Sequence, residues 1–172
     1  MNRTDLLYKL AGITGCKVSD LTSRGNYLRE GGIIPGGRGH LAKKLTVWEI
    51  ANIIVASTAC ERPKQVVETV RSYQALMPSR GQTFLKRPAE SFMDTLAYIL
   101  SSWEAVERVM NITVCQSFPE ATILHSKFMK SIQVKVGYVS EGAEQEKQMV
   151  RKDITIDGAF FRQVYEWMGQ KT

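Results

Sequence analysis

"LREGGIIPGGRGHLAKKLT", residues 28–46, connects two helical patterns through a segment that is rich in glycine and basic residues. It holds five glycines, one proline and four Lys or Arg residues. Glycine adopts the positive φ angles of a tight turn without steric cost, so the pattern predicts a β-ribbon over residues 33–45. Ile33 and Ile34 would form its first strand, "PGGRG" its tip and "HLAKKL" its return strand.

Two short helices are predicted before this ribbon. The first covers residues 4–11, "TDLLYKLA", and Gly12 is expected to end it as a C-cap glycine. The second covers residues 17–30, where Leu21 and Leu28 fall on one face. Helix, tight turn, helix and glycine-tipped ribbon, followed by another helix, is the order of a winged helix-turn-helix.

Two further helices are predicted after the ribbon. One begins at Thr46, because "TVWE" is a capping box in which Thr46 and Glu49 bond to each other's backbone N–H groups. Its apolar side is expected to consist of Trp48, Ala51, Ile54 and Val55. The other covers residues 63–77 and starts at a proline, which is favoured in a first helical turn.

A connector and a domain boundary are predicted at residues 78–90, "PSRGQTFLKRPAE", which are polar and contain Pro and Gly. One long helix is then expected over residues 91–110. Its apolar face would consist of Leu96, Ile99, Leu100, Trp103 and Val106.

Alternating apolar and polar residues predict four strands in the C-terminal part. The segments are "ITVCQSF", "EATILHS", "SIQVKVGYV" and "KDITID", with a charged loop, "EGAEQEKQ", before the last. A final amphipathic helix follows Asp157 and Gly158. The expected fold class is therefore α+β, with a winged helix-turn-helix over residues 1–77 and a small antiparallel-sheet domain flanked by helices over residues 91–172.

Positive charge is concentrated at the N-terminal end of the chain. The net charge is +6, and residues 1–44 hold eight Lys or Arg against three Asp or Glu. Residues 45–172 hold 15 against 14 and are close to neutral. A local basic surplus is typical of a protein that binds a polyanion such as DNA.

Several other classes of protein are disfavoured by the sequence. The chain lacks an apolar run of membrane-spanning length and a signal-peptide pattern at its start, which predicts a cytoplasmic protein. Cys16, Cys60 and Cys115 are too far apart for a metal motif, and two distant histidines make no catalytic pair. We therefore expect no metal, no cofactor and no enzymatic activity. Redox sensing by Cys16 is a minor hypothesis, and His125 is expected to be structural.

Residues 6–14, "LLYKLAGIT", and residues 29–39, "REGGIIPGGRG", carry a resemblance to a known family. They resemble the opening helix and the helix-to-wing step of the MerR-type DNA-binding domain, a form that excisionase-type proteins of mobile elements share. The resemblance covers about residues 4–60. It implies a winged helix-turn-helix that binds duplex DNA.

The candidate DNA contacts lie on the second helix and on the ribbon. A helix N-terminus binds phosphate through its free N–H groups, and arginine and asparagine pair with guanine and adenine edges. Tyr27 is equally expected to be a core residue or a DNA contact. The candidate residues are Lys17, Ser23, Arg24, Asn26, Tyr27, Arg38, His40, Lys43 and Lys44.

The favoured function is sequence-specific binding of double-stranded DNA by a transcriptional regulator, such as a repressor, of phage or mobile-element type. A homodimer or higher homo-oligomer is expected, formed through the Leu96–Val106 helix face or through a sheet edge. One alternative is a DNA packaging or recombination accessory protein, similar to a small terminase subunit or an excisionase. Another is a protein-interaction module with an incidental basic ribbon.

Overall fold

The chain folds as an α+β protein, as the sequence predicts. The computed structural model describes residues 3–35, 45–79, 82–85, 87–88, 90–127, 132–139 and 152–169. The helices in these ranges are α1 (Arg3–Thr14), α2 (Val18–Glu30), α3 (Val47–Thr58), α4 (Val66–Gln74), α5 (Phe92–Ser101), α6 (Trp103–Arg108) and α7 (Gly158–Trp167). The strands are β1 (Met77–Pro78), β2 (Thr83–Phe84), β3 (Arg87–Pro88), β4 (Val109–Cys115), β5 (Glu120–Lys127), β6 (Ile132–Val139) and β7 (Asp153–Asp157).

The main sheet has five antiparallel strands in the order β1–β6–β5–β4–β7. The four strands predicted in the C-terminal part are confirmed, and β1 joins them from the region expected to be a connector. One buried row crosses the sheet because its members lie opposite one another in register. The row consists of Ile156, Ile112, Ile123 and Val136. Helices cover this face, whereas Thr113 and Thr155 bond to each other on the exposed face.

Helix α3 lies at the centre of the molecule, and every residue from Ile50 to Thr58 is buried. The predicted capping box is confirmed: the Glu49 N–H donates to the Thr46 hydroxyl, and the Thr46 N–H donates to the Glu49 carboxylate. The prediction of a single apolar side is wrong. Because α3 is apolar on all sides, it is enclosed, and Trp48 in its first turn is 42% exposed.

The region expected to be a connector, residues 78–90, contributes β2 and β3, which form a hairpin. Phe84 in this hairpin is buried and packs edge-on against His125, with ring centroids 4.9 Å apart. His125 is itself buried, and desolvation lowers its pKa, which fits the expected structural role. The buried side chains form one continuous cluster on both sides of this region. The domain boundary expected at residues 78–90 stays a prediction.

Helix α4 is shorter than expected. A short 3-10 helix begins at Pro63, and α4 ends at Gln74, so that Met77 lies in β1 and is 57% exposed. Tyr73 connects α4 to the sheet, because its hydroxyl donates to the Cys115 carbonyl and lies 3.1 Å from the Glu120 carbonyl oxygen. Burial raises the pKa of Tyr73, so the hydroxyl stays protonated as a donor.

The long helix predicted over residues 91–110 is two helices, broken at Ser102. Ser102 has an extended backbone, with φ −124° and ψ 119°, and its hydroxyl accepts from the Ala105 N–H at the start of α6. Serine favours this capping position over a helix interior. The Leu96–Val106 face is buried within the chain, so it is not available as the expected dimer interface.

The last strand leads directly into α7, as predicted. Asp157 caps this helix by accepting from the Ala159 N–H at 2.7 Å, and Phe161 and Val164 are buried. Across the described ranges, every helix is too short or too polar to span a bilayer.

Two glycine-to-alanine substitutions should change stability in opposite directions. A Cβ atom on Gly158 would lie 2.0 Å from the backbone oxygen of Val109, so Gly158→Ala should destabilise the protein by about 1–3 kcal/mol or more. Gly12 lies in open space on α1, so Gly12→Ala should stabilise by about 0.5–1 kcal/mol. Urea denaturation of both variants measures the difference. Equal unfolding midpoints would contradict the close packing of α7 on β4.

Candidate nucleic-acid interface

Helices α1 and α2 are joined by a turn of three residues, Gly15 to Lys17. The expectation that Gly12 ends the first helix is wrong, because α1 continues to Thr14. Gly15 ends it with a φ of 68°, a conformation that suits glycine, and its N–H donates to the Ala11 carbonyl. The turn is therefore fixed by backbone geometry.

Lys17 occupies the N-cap position of α2, where its side chain is exposed and makes no capping hydrogen bond. Its carbonyl accepts from the N–H groups of Asp20 and Leu21. An exposed cation beside the first turn of a helix favours phosphate binding, because the free N–H groups and the positive end of the helix dipole also attract an anion.

One face of α2 is buried and the other carries polar side chains. Leu21, Arg24 and Leu28 are buried. Exposed residues on the opposite side recur at helical spacing: Ser19, Thr22, Ser23 and Glu30. Ser23 donates its hydroxyl proton to the Ser19 carbonyl, which leaves the oxygen able to accept from another group.

Arg24 is not on the exposed side of α2, and the prediction that it reads base edges from there is wrong. Its side chain is 5% exposed. The guanidinium donates to the carbonyls of Ser57 at 2.9 Å, Ala56 at 3.2 Å and Glu61 at 3.4 Å. The Ala56 and Ser57 carbonyls lie in the last turn of α3, where an intrahelical partner is missing and the helix dipole favours a cation, and Glu61 follows the helix.

Asn26 and Tyr27 lie at the border between the two faces and are half-buried. The Asn26 side-chain oxygen accepts from the Arg29 guanidinium at 3.4 Å. Tyr27 packs against the core cluster, which is one of the two roles expected for it.

The prediction of a strand at Ile33 and Ile34 is wrong, because this segment follows α2 directly and caps its C-terminal end. The Ile33 N–H donates to the Leu28 carbonyl and the Gly32 N–H to the Arg29 carbonyl, with Gly32 at φ 71°. This hydrogen-bond pair is the Schellman motif that ends many helices. The ribbon tip and return strand were predicted over residues 35–45, of which residues 36–44 lie outside the described residues, as do Arg38, His40, Lys43 and Lys44.

The C-terminal end of α3 is a junction that sequence reasoning missed. Besides Arg24, it receives Gln116, whose side-chain amide donates to the Thr58 carbonyl at 2.7 Å. Lys152 pairs with Glu61 at 2.7 Å. The sequence signal is a helix that ends in "STACE" without glycine or a basic side chain of its own, so its carbonyls need donors from elsewhere.

Helix α1 also contacts the C-terminal helix. The Lys9 ammonium donates to the Gln163 side chain at 3.1 Å and lies 4.3 Å from the centroid of the Trp167 ring. Lys9 is therefore engaged within the chain. The three cysteines are free thiols, and the described part of the chain contains no His, Cys, Asp or Glu group suited to a metal.

No protein-family model, curated protein sequence or solved structure matches this chain.

Replacing Arg24 should lower stability. Arg24→Ala removes the donor from buried carbonyls, so we expect a decrease of about 1–3 kcal/mol in the free energy of unfolding. Arg29→Ala, on the same helix but half-buried, should change it by about 0.5 kcal/mol or less. Urea denaturation followed by circular dichroism compares the two. Equal decreases would mean that the α2–α3 contact does not depend on Arg24.

Proposed function

We propose that this protein binds duplex DNA through α2 and the basic glycine-rich segment, and that it acts as a sequence-specific transcriptional regulator in the form of a homodimer. The supporting observation is the arrangement of α1, a three-residue turn, α2 and α3. The three helices contact one another, and the polar side of α2 faces outward. A helix presented in this way fits the major groove.

Electrostatic attraction must come mainly from outside α2 itself. The helix carries Asp20 and Glu30 as well as Arg24 and Arg29, and Arg24 is buried. Lys17 and the three basic residues of 36–44 supply the remaining charge. In this proposal they contact phosphates and set the position of α2, since phosphate contacts place a protein on DNA without reading sequence.

Base recognition is proposed for the exposed Ser23 and the half-buried Asn26 of α2. Ser23 can accept or donate in the groove, and Asn26 can pair with an adenine edge if it exchanges its contact with Arg29. In a homodimer, two copies of α2 would enter successive major grooves, about 34 Å apart.

The experiment measures DNA binding by the full chain as a function of salt, with fluorescence anisotropy on a labelled duplex. Removing one phosphate-binding cation should lower the log–log salt slope by about one unit. Because a homodimer carries two copies of each side chain, Lys17→Ala should lower it by about one unit per half-site, and a joint Arg38→Ala, Lys43→Ala and Lys44→Ala variant by about three units per half-site. Lys135→Ala, which removes an exposed cation on β6, is the matched control and should leave the slope unchanged.

The proposal fails if the full chain does not bind duplex DNA at low salt. It also fails if Lys135→Ala weakens binding as much as Lys17→Ala does, because binding would then reflect the overall charge of the protein. Circular dichroism of each variant checks that its helix content is retained.

A further inference from the structure

A cleft of about 270 Å³ lies between α4 and the turn that joins β4 to β5. It is open to solvent on one side, and its volume is close to the lower limit of about 300 Å³ for ligand pockets in proteins. A cleft of this size holds a metabolite-sized molecule, not a polymer. The residues proposed to contact DNA lie elsewhere.

The α4 wall of this cleft is a continuous polar stripe. Gln65, Glu68, Thr69 and Ser72 line it and follow the i, i+3, i+4, i+7 spacing of one helix face. The adjacent face of α4 carries the buried residues Val66, Val70 and Tyr73, and Tyr73 also lines the cleft. Helix α4 therefore turns hydrogen-bonding groups toward a concave space, where they can meet a polar ligand.

The other wall is held in place by the core. The Tyr73 hydroxyl lies 3.4 Å from the Phe118 carbonyl oxygen, in addition to its bonds at the strand ends. Gln116 is fixed by its bond to Thr58, and its N–H donates to the Lys152 carbonyl at 2.7 Å. The turn is thus positioned before a ligand arrives, which lowers the entropy cost of binding.

The charge of the side chains that line the cleft indicates the class of ligand. Apart from the protonated Tyr73, Glu68 is the ionisable side chain that lines the cleft. Among the described residues, its carboxylate has no hydrogen bond or ion pair. Phe118 also lines the cleft, and aromatic faces attract cations.

We propose that this cleft binds a small organic cation, whose ammonium or guanidinium group pairs with Glu68 and whose chain lies against Phe118. Ser72 and Gln116 also line the cleft and supply further polar groups to the ligand. The site goes beyond DNA binding and does not depend on it. Because Gln116 also bonds to the end of α3, an occupant stabilises the junction described above, and binding raises the melting temperature by mass action.

The test uses the full chain, without DNA, and two probes of similar length. Agmatine carries a guanidinium and an ammonium group, and glutarate carries two carboxylates. Titration followed by amide NMR should give saturable shifts at Ser72, Ser117 and Phe118 with agmatine, up to a probe concentration of about 10 mM, which detects weak binding. Glutarate should give none at these positions.

Glu68→Gln should weaken agmatine binding by about tenfold, because it replaces a charge-assisted pair with a neutral contact. Glu107→Gln, which removes an exposed carboxylate on α6, is the matched control and should bind agmatine like the natural chain. Glu68 is exposed, so both variants should fold.

Three results would overturn the proposal: no saturable shift at the cleft, equal binding of glutarate, or equal affinity in Glu68→Gln and the natural chain. Because DNA is absent from this experiment, failure here leaves the DNA-binding proposal standing. Failure of the DNA experiment likewise leaves this one standing.

Discussion

The burial of α3 from Ile50 to Thr58 is the constraint on which the rest of the structure depends. A helix that is apolar on every side must be covered on every side, and α1, α2, α4 and α5 all pack against it. Burial also removes water from its C-terminal carbonyls, each of which then needs a donor from the protein. Arg24 and Gln116 supply donors from opposite parts of the chain.

This requirement also determines how α2 is presented. Leu21, Arg24 and Leu28 all face inward, so the rotation of α2 about its own axis is fixed by both apolar packing and hydrogen bonds. The polar stripe on its outer side is consequently held in one orientation. A rigid presentation suits a surface that must match a groove, since a recognition helix needs a defined orientation to reach base edges.

Local signals in the sequence predicted much of the fold. The capping box at Thr46, the alternating strands and the start of α7 depend on neighbouring residues, and they are confirmed.

The predictions were wrong where contacts between residues distant in sequence decide the structure. The sequence pattern predicts Arg24 as a polar surface residue. It is buried because its guanidinium donates to the buried carbonyls of Ala56 and Ser57, 32 and 33 residues away. Ser102 breaks an apolar pattern that is continuous in sequence, and the break lets Trp103 pack against Tyr165. "GGII" suggests a strand after a turn, yet the two glycines and Ile33 complete the end of α2. The cleft beside α4 could not be predicted, because its second wall comes from residues more than forty positions later in the chain.

Native-state hydrogen exchange tests most directly whether α3 joins both parts of the chain into one cooperative unit. Slowly exchanging amides of α2 and of β5 should have similar opening free energies and should converge on the same dependence on denaturant, since both need α3 to be folded. If the α2 amides exchange through a smaller opening, at a denaturant concentration where β5 stays protected, the N-terminal helices unfold separately. That result would contradict the central role given to α3.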